Sequence, residues 1–130
     1  MEQYEILLND AKQKKIALIK DYDKGQGINS FAINGTLVWL DKATRVGLVN
    51  SLQIEKAAGR EKGTLWFNNT PYEMPIDDAL KMLTVLELYA VECNNTTQRH
   101  IVNIQNEKDL NRVHNYNYTK GYPQRLYFNI

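Results

Sequence analysis

The dipeptide Asn34-Gly35 lies between two short apolar segments and is the strongest local signal in the chain. Both residues tolerate positive φ, so the dipeptide favours a two-residue β-hairpin turn of type I′. The flanking segments therefore predict a hairpin over about 29–40. Apolar side chains alternate along it, which predicts one heavily apolar face formed by Phe31, Ile33, Leu37 and Trp39.

A helix is expected directly after this hairpin. Asp41 is a typical N-cap residue, because its carboxylate can accept from the backbone amide of Ala43 or Thr44. Gly59 is a typical C-terminal stop, so the helix is predicted to run to about Ala58.

The middle of the chain predicts a second hairpin and a long helix. Apolar residues around Thr64–Phe67, followed by paired asparagines, predict a hairpin over about 63–74. Residues 77–106 follow, and their first part is apolar nearly all round, as expected for a central buried helix. A continuous helix and a break at Asn94 are both compatible with the sequence. Trp39 and Trp66 are interpreted as core residues before ligand platforms.

Residues 2–22 have apolar side chains at helical spacing and predict an N-terminal helix. Ile6, Ile16 and Ile19 lie off the main row and widen its apolar face. Such a face must dock either on its own domain or on another chain. The candidate protein-contact residues on it are Tyr4, Leu7, Leu8, Ala11 and Leu18.

Aromatic residues crowd the end of the chain, before a predicted closing strand over 125–129. Tyrosine offers apolar area with a polar tip, so a cluster of tyrosines can bind a protein or a sugar. It can equally fasten a C-terminal segment onto a small core. The candidate contact residues here are Tyr116, Tyr118 and Tyr122.

Composition narrows the functional classes. The net charge is +1, and no run of like charges predicts a nucleic-acid or membrane surface. The acidic, polar start of the chain is unlike a secretory signal peptide. Neither His100 nor His114 belongs to a known metal or catalytic motif, and the lone Cys93 is typical of a buried small residue. We therefore predict no catalytic, cofactor-binding or metal-binding residues, no enzyme activity and no small-molecule substrate.

The fold predicted from these elements is α+β. It has two antiparallel hairpins in one small sheet packed on helices, with the long helix at the centre. We predict one domain over residues 1–130. Residues 1–24 form the N-terminal helix and a glycine-containing link, and residues 25–130 form the α+β body with its aromatic tail.

Several separated segments, in the same order, resemble a family of domains of unknown function found in tailed phages and prophages, including those of Bacteroides-type hosts. The segments that carry this resemblance are residues 29–35, 39–45, 55–60, 65–67, 86–90 and 116–123. Members of the family lie among tail, tail-fibre and tail-fibre-assembly proteins, and no catalytic residues are known for it.

The resemblance implies a non-catalytic, tail-associated structural or interaction protein that acts through protein–protein contacts. Its expected partners are other tail or fibre proteins, and a homo-oligomer is also expected. The expected location is the virion, or the host cytoplasm during assembly. One alternative is a tail-fibre assembly chaperone that is absent from the mature virion. A second alternative is a carbohydrate-binding module that uses the C-terminal tyrosines.

Overall fold

The structure is a computed structural model that describes residues 2–130. Hairpins alternate with helices along the chain, as the sequence predicts, and a short strand closes it. In order they are α1 Gln3–Lys24, β1 Ser30–Ile33, β2 Thr36–Trp39, α2 Lys42–Ala57, β3 Lys62–Phe67, β4 Thr70–Pro75, α3 Ile76–Asn106, α4 Leu110–His114 and β5 Leu126–Phe128. The predicted fold class is confirmed, and α3 is continuous through Asn94.

The strands form two sheets, so the prediction of one small sheet is wrong in that detail. One sheet has the order β2-β1-β5, and the other contains only the β3-β4 hairpin. β1 pairs antiparallel with β2 and parallel with β5. The parallel pairing joins segments far apart in the sequence, and local turn signals carry no information about it.

Local backbone chemistry explains both hairpins. The first turn places Asn34 at φ 48° and Gly35 at φ 82°, as a two-residue turn with two left-handed positions requires. The second turn uses Asn68 at φ 52° and Asn69 at φ 62°. Asparagine tolerates this region better than most other residues with a β-carbon, so the residues at the turn positions explain both turns.

The predicted apolar face of the first hairpin is wrong, because it ignores the register that a two-residue turn imposes. Residues directly opposite each other share a face, and Phe31 lies opposite Val38. Phe31 and Val38 are therefore buried, whereas Leu37 and Trp39 point to the other face and are exposed. Trp66 is also exposed, because it alternates with the buried Leu65 and Phe67. Neither tryptophan is a core residue.

The chain divides into two compact units. The helical unit comprises the chain up to Ile28 together with Val91–Pro123, and the sheet unit comprises Asn29–Ala90 together with Gln124–Ile130. This grouping differs from the predicted division at residue 24, because α1 shares its unit with α4 and the second part of α3.

The sheet unit has a core of aromatic and aliphatic side chains from both sheets and from α3. The Phe31 ring makes edge contacts with Phe67 at 5.6 Å and with Phe128 at 5.9 Å between centroids. Such contacts are favourable beyond the burial of area. Asp41 caps α2 as predicted, since its carboxylate accepts from the Thr44 amide at 2.7 Å.

The helical unit is built on the inner face of α1. The residues buried in it are Leu8, Ala11 and Ile19 from α1, Ile101 and Ile104 from α3, and Val113 from α4. Ile19 is thus a central core residue, although periodicity placed it off the main apolar row. Apolar residues occur on more than one side of α1, so spacing alone did not identify its buried side.

Lysines of α1 also contact the ends of the other helices in this unit. Lys12 Nζ donates to the carbonyl of Gln105 at 2.8 Å, and Lys15 Nζ donates to that of His114 at 3.1 Å. The last turn of α3 contains no basic residue of its own. The α1 lysines therefore supply the positive charge that a helix C-terminus favours.

Candidate functional site

Two ion pairs join α2 to α3 in the sheet unit, and an apolar groove lies beside one of them. Arg45 Nε lies 2.9 Å from Glu87 Oε2, at the groove, and Lys56 Nζ lies 2.8 Å from Asp77 Oδ1. The start of α2 thus lies beside the middle of α3 and the end of α2 beside the start of α3, so α2 runs antiparallel to the first part of α3. The groove has a volume of about 390 Å³, and its apolar lining includes Val46, Val49, Leu83 and Leu88.

The Arg45–Glu87 pair fixes one end of this groove. The Arg45 side chain is only 12% exposed, and its Nη1 also donates to the carbonyl of Leu40 at 2.7 Å. A guanidinium held by two acceptors has little rotational freedom, so the Arg45–Glu87 pair forms a rigid edge of the groove. The Lys56–Asp77 pair lies outside this groove and is exposed. Lys56 lowers the pKa of Asp77, first through its hydrogen bond and then through its charge.

Three apolar side chains beside the groove face the solvent. Leu88 is 63% exposed, and Val46 and Val85 are each almost half exposed. We call these three residues the α2–α3 face. The expectation that the long helix is buried all round is therefore wrong for one side of α3. Exposed apolar side chains grouped beside a groove are typical of an interaction surface.

The predicted contact residues on α1 do not share one environment. Leu8 and Ala11 are buried within the helical unit, whereas Tyr4, Leu7 and Leu18 are each about half exposed. The Tyr4 hydroxyl is already used, because it donates to the carbonyl of Lys108 at 3.2 Å and accepts from the Leu110 amide at 2.9 Å. Leu7 and Leu18 are the predicted residues of α1 that remain most available to another chain.

The predicted contact tyrosines of the tail lie in one network inside the helical unit. The Tyr116 hydroxyl is 2.6 Å from His100 Nδ1 and accepts from Asn103 Nδ2 at 3.0 Å. The Tyr122 hydroxyl is 2.7 Å from Thr97 Oγ1, which also donates to Asp23 Oδ1 at 2.9 Å. The rings of Tyr118 and Tyr122 both contact that of Tyr22. These interactions fasten residues 116–122 onto α1 and α3.

The geometry of this network assigns the tautomer of His100. His100 Nε2 is 2.7 Å from the carbonyl of Lys120, which can only accept, so Nε2 must carry a proton. In the neutral ring Nδ1 is then the acceptor, and Tyr116 donates to it. Burial is the main cause that raises the pKa of Tyr122, while its bond to Thr97 acts in the opposite direction.

The remaining features of the described residues concern metal ligands, membrane spans and the lone cysteine. Across residues 2–130, no three His, Cys, Asp or Glu side chains are placed to hold a metal ion together. Between the same limits, no helix combines the length and the apolar character needed to cross a bilayer. Cys93 is fully buried, as its sequence context predicted.

Sequence reasoning missed the α2–α3 face, although a signal for it was present. The outer positions of α2 between Lys42 and Lys56 include Ala43, Val46, Gly47, Asn50, Ser51 and Ile54, and none of these carries a charge. A solvent-facing helix normally has charged residues on its outer side. An uncharged outer side of α2, next to the mostly apolar first part of α3, indicates an interaction surface.

Comparison of the chain with protein-family models, with curated proteins and with solved structures finds no match. The surface on α2 and α3 and the tyrosine network are therefore the features of the molecule that bear on its function.

Proposed function

We propose that this protein is a non-catalytic interaction protein and that the α2–α3 face is its main contact surface. The observation that supports the proposal is the exposure of Val46, Val85 and Leu88 beside an apolar groove. An apolar groove flanked by exposed aliphatic side chains can receive the apolar face of a partner's amphipathic helix. The rigid Arg45–Glu87 pair supports the same interpretation, since a fixed polar rim gives such a contact its orientation.

The setting that we propose is the tail of a phage or prophage. It is the setting that the sequence resemblance implies, with tail or fibre proteins as partners. A structural component of the tail and an assembly chaperone would both use an apolar contact face. They differ in whether the protein stays in the finished particle, which mass spectrometry of purified particles would determine.

The tyrosine network gives less support to a sugar-binding function. Tyr116 and Tyr122 use their hydroxyls inside the helical unit, and Tyr118 packs against Tyr22 and Lys15. A sugar would have to compete with these contacts. A specific glycan-array signal that Tyr118→Ala removes would favour the carbohydrate-binding alternative over our proposal.

The proposal is tested by co-expressing the tagged protein with the tail or fibre proteins encoded beside it. Val46→Glu places a charge on the α2–α3 face and should reduce the retained partner at least about tenfold, which corresponds to about 1.4 kcal/mol. Trp66→Glu is the matched control, because Trp66 is exposed on β3 outside this face. Equal retention by the two variants, or no retention by the wild type, would contradict the proposal.

A further inference from the structure

One row of exposed side chains on α3 has a regular pattern. Lys81, Val85, Leu88 and Glu92 follow one another along the helix at alternating spacings of four and three residues, and all four are exposed. This spacing keeps side chains on one line of a helix and is typical of a seam that meets a second helix. Two apolar residues lie at the centre of the row, with opposite charges at its ends.

The row is complementary to itself when it is reversed. If a second copy of α3 lies antiparallel across a two-fold axis between Val85 and Leu88, each Val85 meets the Leu88 of the other copy. The same axis brings each Lys81 opposite the Glu92 of the other copy. Two-fold contacts are isologous, so every favourable pair occurs twice.

The charges at the ends of the row are available for such pairing. Within residues 2–130, neither Lys81 nor Glu92 makes an ion pair within 4 Å, whereas Lys56, Arg45, Asp77 and Glu87 all do. Lys81 acts on Asp77 only as a minor charge that helps lower its pKa. An antiparallel copy would give both end charges an opposite partner.

Apolar area extends from this row onto α2. Leu88 and Thr84 line the groove of about 390 Å³ together with Val46 and Val49. That volume accommodates protruding side chains rather than a whole helix.

We propose that two copies of this chain associate through α3, antiparallel, with Val85 on Leu88 and Lys81 opposite Glu92. This inference rests on the proposed function as an interaction protein and names one partner, a second copy. A seam formed by four side chains from each copy of α3 predicts a weak dimer, with a Kd on the order of 1–100 µM.

Charge reversal tests the register of the dimer directly. Lys81→Glu should place like charges at both ends of the seam, as should Glu92→Lys, and each should weaken association about tenfold or more. The double variant restores opposite charges at both ends, so it should recover most of the wild-type association. Lys20→Glu, on an exposed position of α1, is the control with the same change of charge.

The measurement is sedimentation velocity over about 1–200 µM of the full chain, a range that brackets the expected Kd. Circular dichroism of each variant confirms that it is folded. The expected result is a wild-type dimer that the single reversals weaken and the double reversal restores, with Lys20→Glu unchanged. A monomeric wild type, or a dimer that ignores the single reversals or is not restored by the double one, would overturn the inference.

Repeating the co-expression assay with Lys81→Glu separates this inference from the proposed function. If the wild type does not self-associate but still retains a tail or fibre protein, and Val46→Glu loses that protein, the dimer is wrong and the interaction function stands. If the dimer behaves as expected while no tail or fibre protein is retained, the dimer stands and the tail setting is wrong.

Discussion

Gly35 has a conformation that decides whether the first hairpin can form. Its φ is 82°, yet a β-carbon built there would meet no atom within 4 Å. The constraint at this position is therefore backbone conformation rather than space. A β-branched residue is the most strained in this region, because its side chain crowds its own carbonyl.

Gly35→Val should lower the free energy of unfolding by about 1–3 kcal/mol. Gly47 provides the opposite case, since it lies inside α2 and its β-carbon would also meet no atom within 4 Å. Gly47→Ala should raise stability by about 0.5–1 kcal/mol. Urea unfolding of both variants checks the pair, and wild-type stability in Gly35→Val would contradict this account of the turn.

Asp41 should make the contribution of α2 to the stability of the fold depend on pH. Its bond from the Thr44 amide is the main cause that lowers the pKa of Asp41 below its ordinary value of 3.8. A lowered folded pKa means that the carboxylate stabilises the fold above about pH 4, and that this contribution is lost as pH falls through the folded pKa.

Asp41→Asn keeps the capping oxygen but cannot titrate. Its urea midpoint should therefore fall less than that of the wild type between about pH 6 and about pH 2.5. Asp41→Ala removes the cap itself and should lower the midpoint at the higher pH as well. Parallel acid dependence in the wild type and Asp41→Asn would show that the cap does not contribute through its charge.

The tail network should stabilise the helical unit. Tyr116→Phe removes the hydroxyl that donates to His100 and accepts from Asn103, and it leaves a partly buried ring nitrogen without its donor. We expect a loss of about 1–3 kcal/mol in the free energy of unfolding.

Tyr127→Phe is the matched control for this change, because Tyr127 is 68% exposed on β5. It should alter stability by no more than about 0.5 kcal/mol. Chemical denaturation compares the two variants, and limited proteolysis should find residues 116–122 of Tyr116→Phe cleaved earlier. Equal stability of the two variants would mean that packing alone fastens the tail.

The elements that sequence reasoning located correctly are those fixed by neighbours in the chain. Asn34-Gly35 and Asp41 act over a few residues, so their roles could be predicted from the local sequence. The face of Trp39 depends on register, and the partner of β5 depends on contacts between distant segments. The α2–α3 face was missed for a related reason, because apolar content alone does not say which side of α3 the sheets will cover.

The long helix α3 is the element common to both units. The boundary between the units falls between Ala90 and Val91, inside this continuous helix. A continuous helix propagates order along its length, since each turn supports the next. We therefore expect one cooperative unfolding transition.

Ala90→Pro should convert this behaviour into two transitions, because proline removes a helical hydrogen bond and clashes with the preceding turn, at a cost of about 3 kcal/mol or more. Lys42→Pro is the control, since it occupies the first position of α2 after the extended Asp41 and should be tolerated. Calorimetry distinguishes the outcomes. A single transition in Ala90→Pro would show that the units are coupled by more than the helix.

The Asn68 side chain should reduce aggregation of the protein at high concentration. β2 is an edge strand, and the outward carbonyl of Leu37 accepts from Asn68 Nδ2 at 3.0 Å. Unpaired edge carbonyls are templates on which other chains add strands and begin to aggregate. Because one carbonyl of a four-residue strand is already occupied, a single amide in the second turn limits strand addition at an edge where Leu37 and Trp39 are exposed.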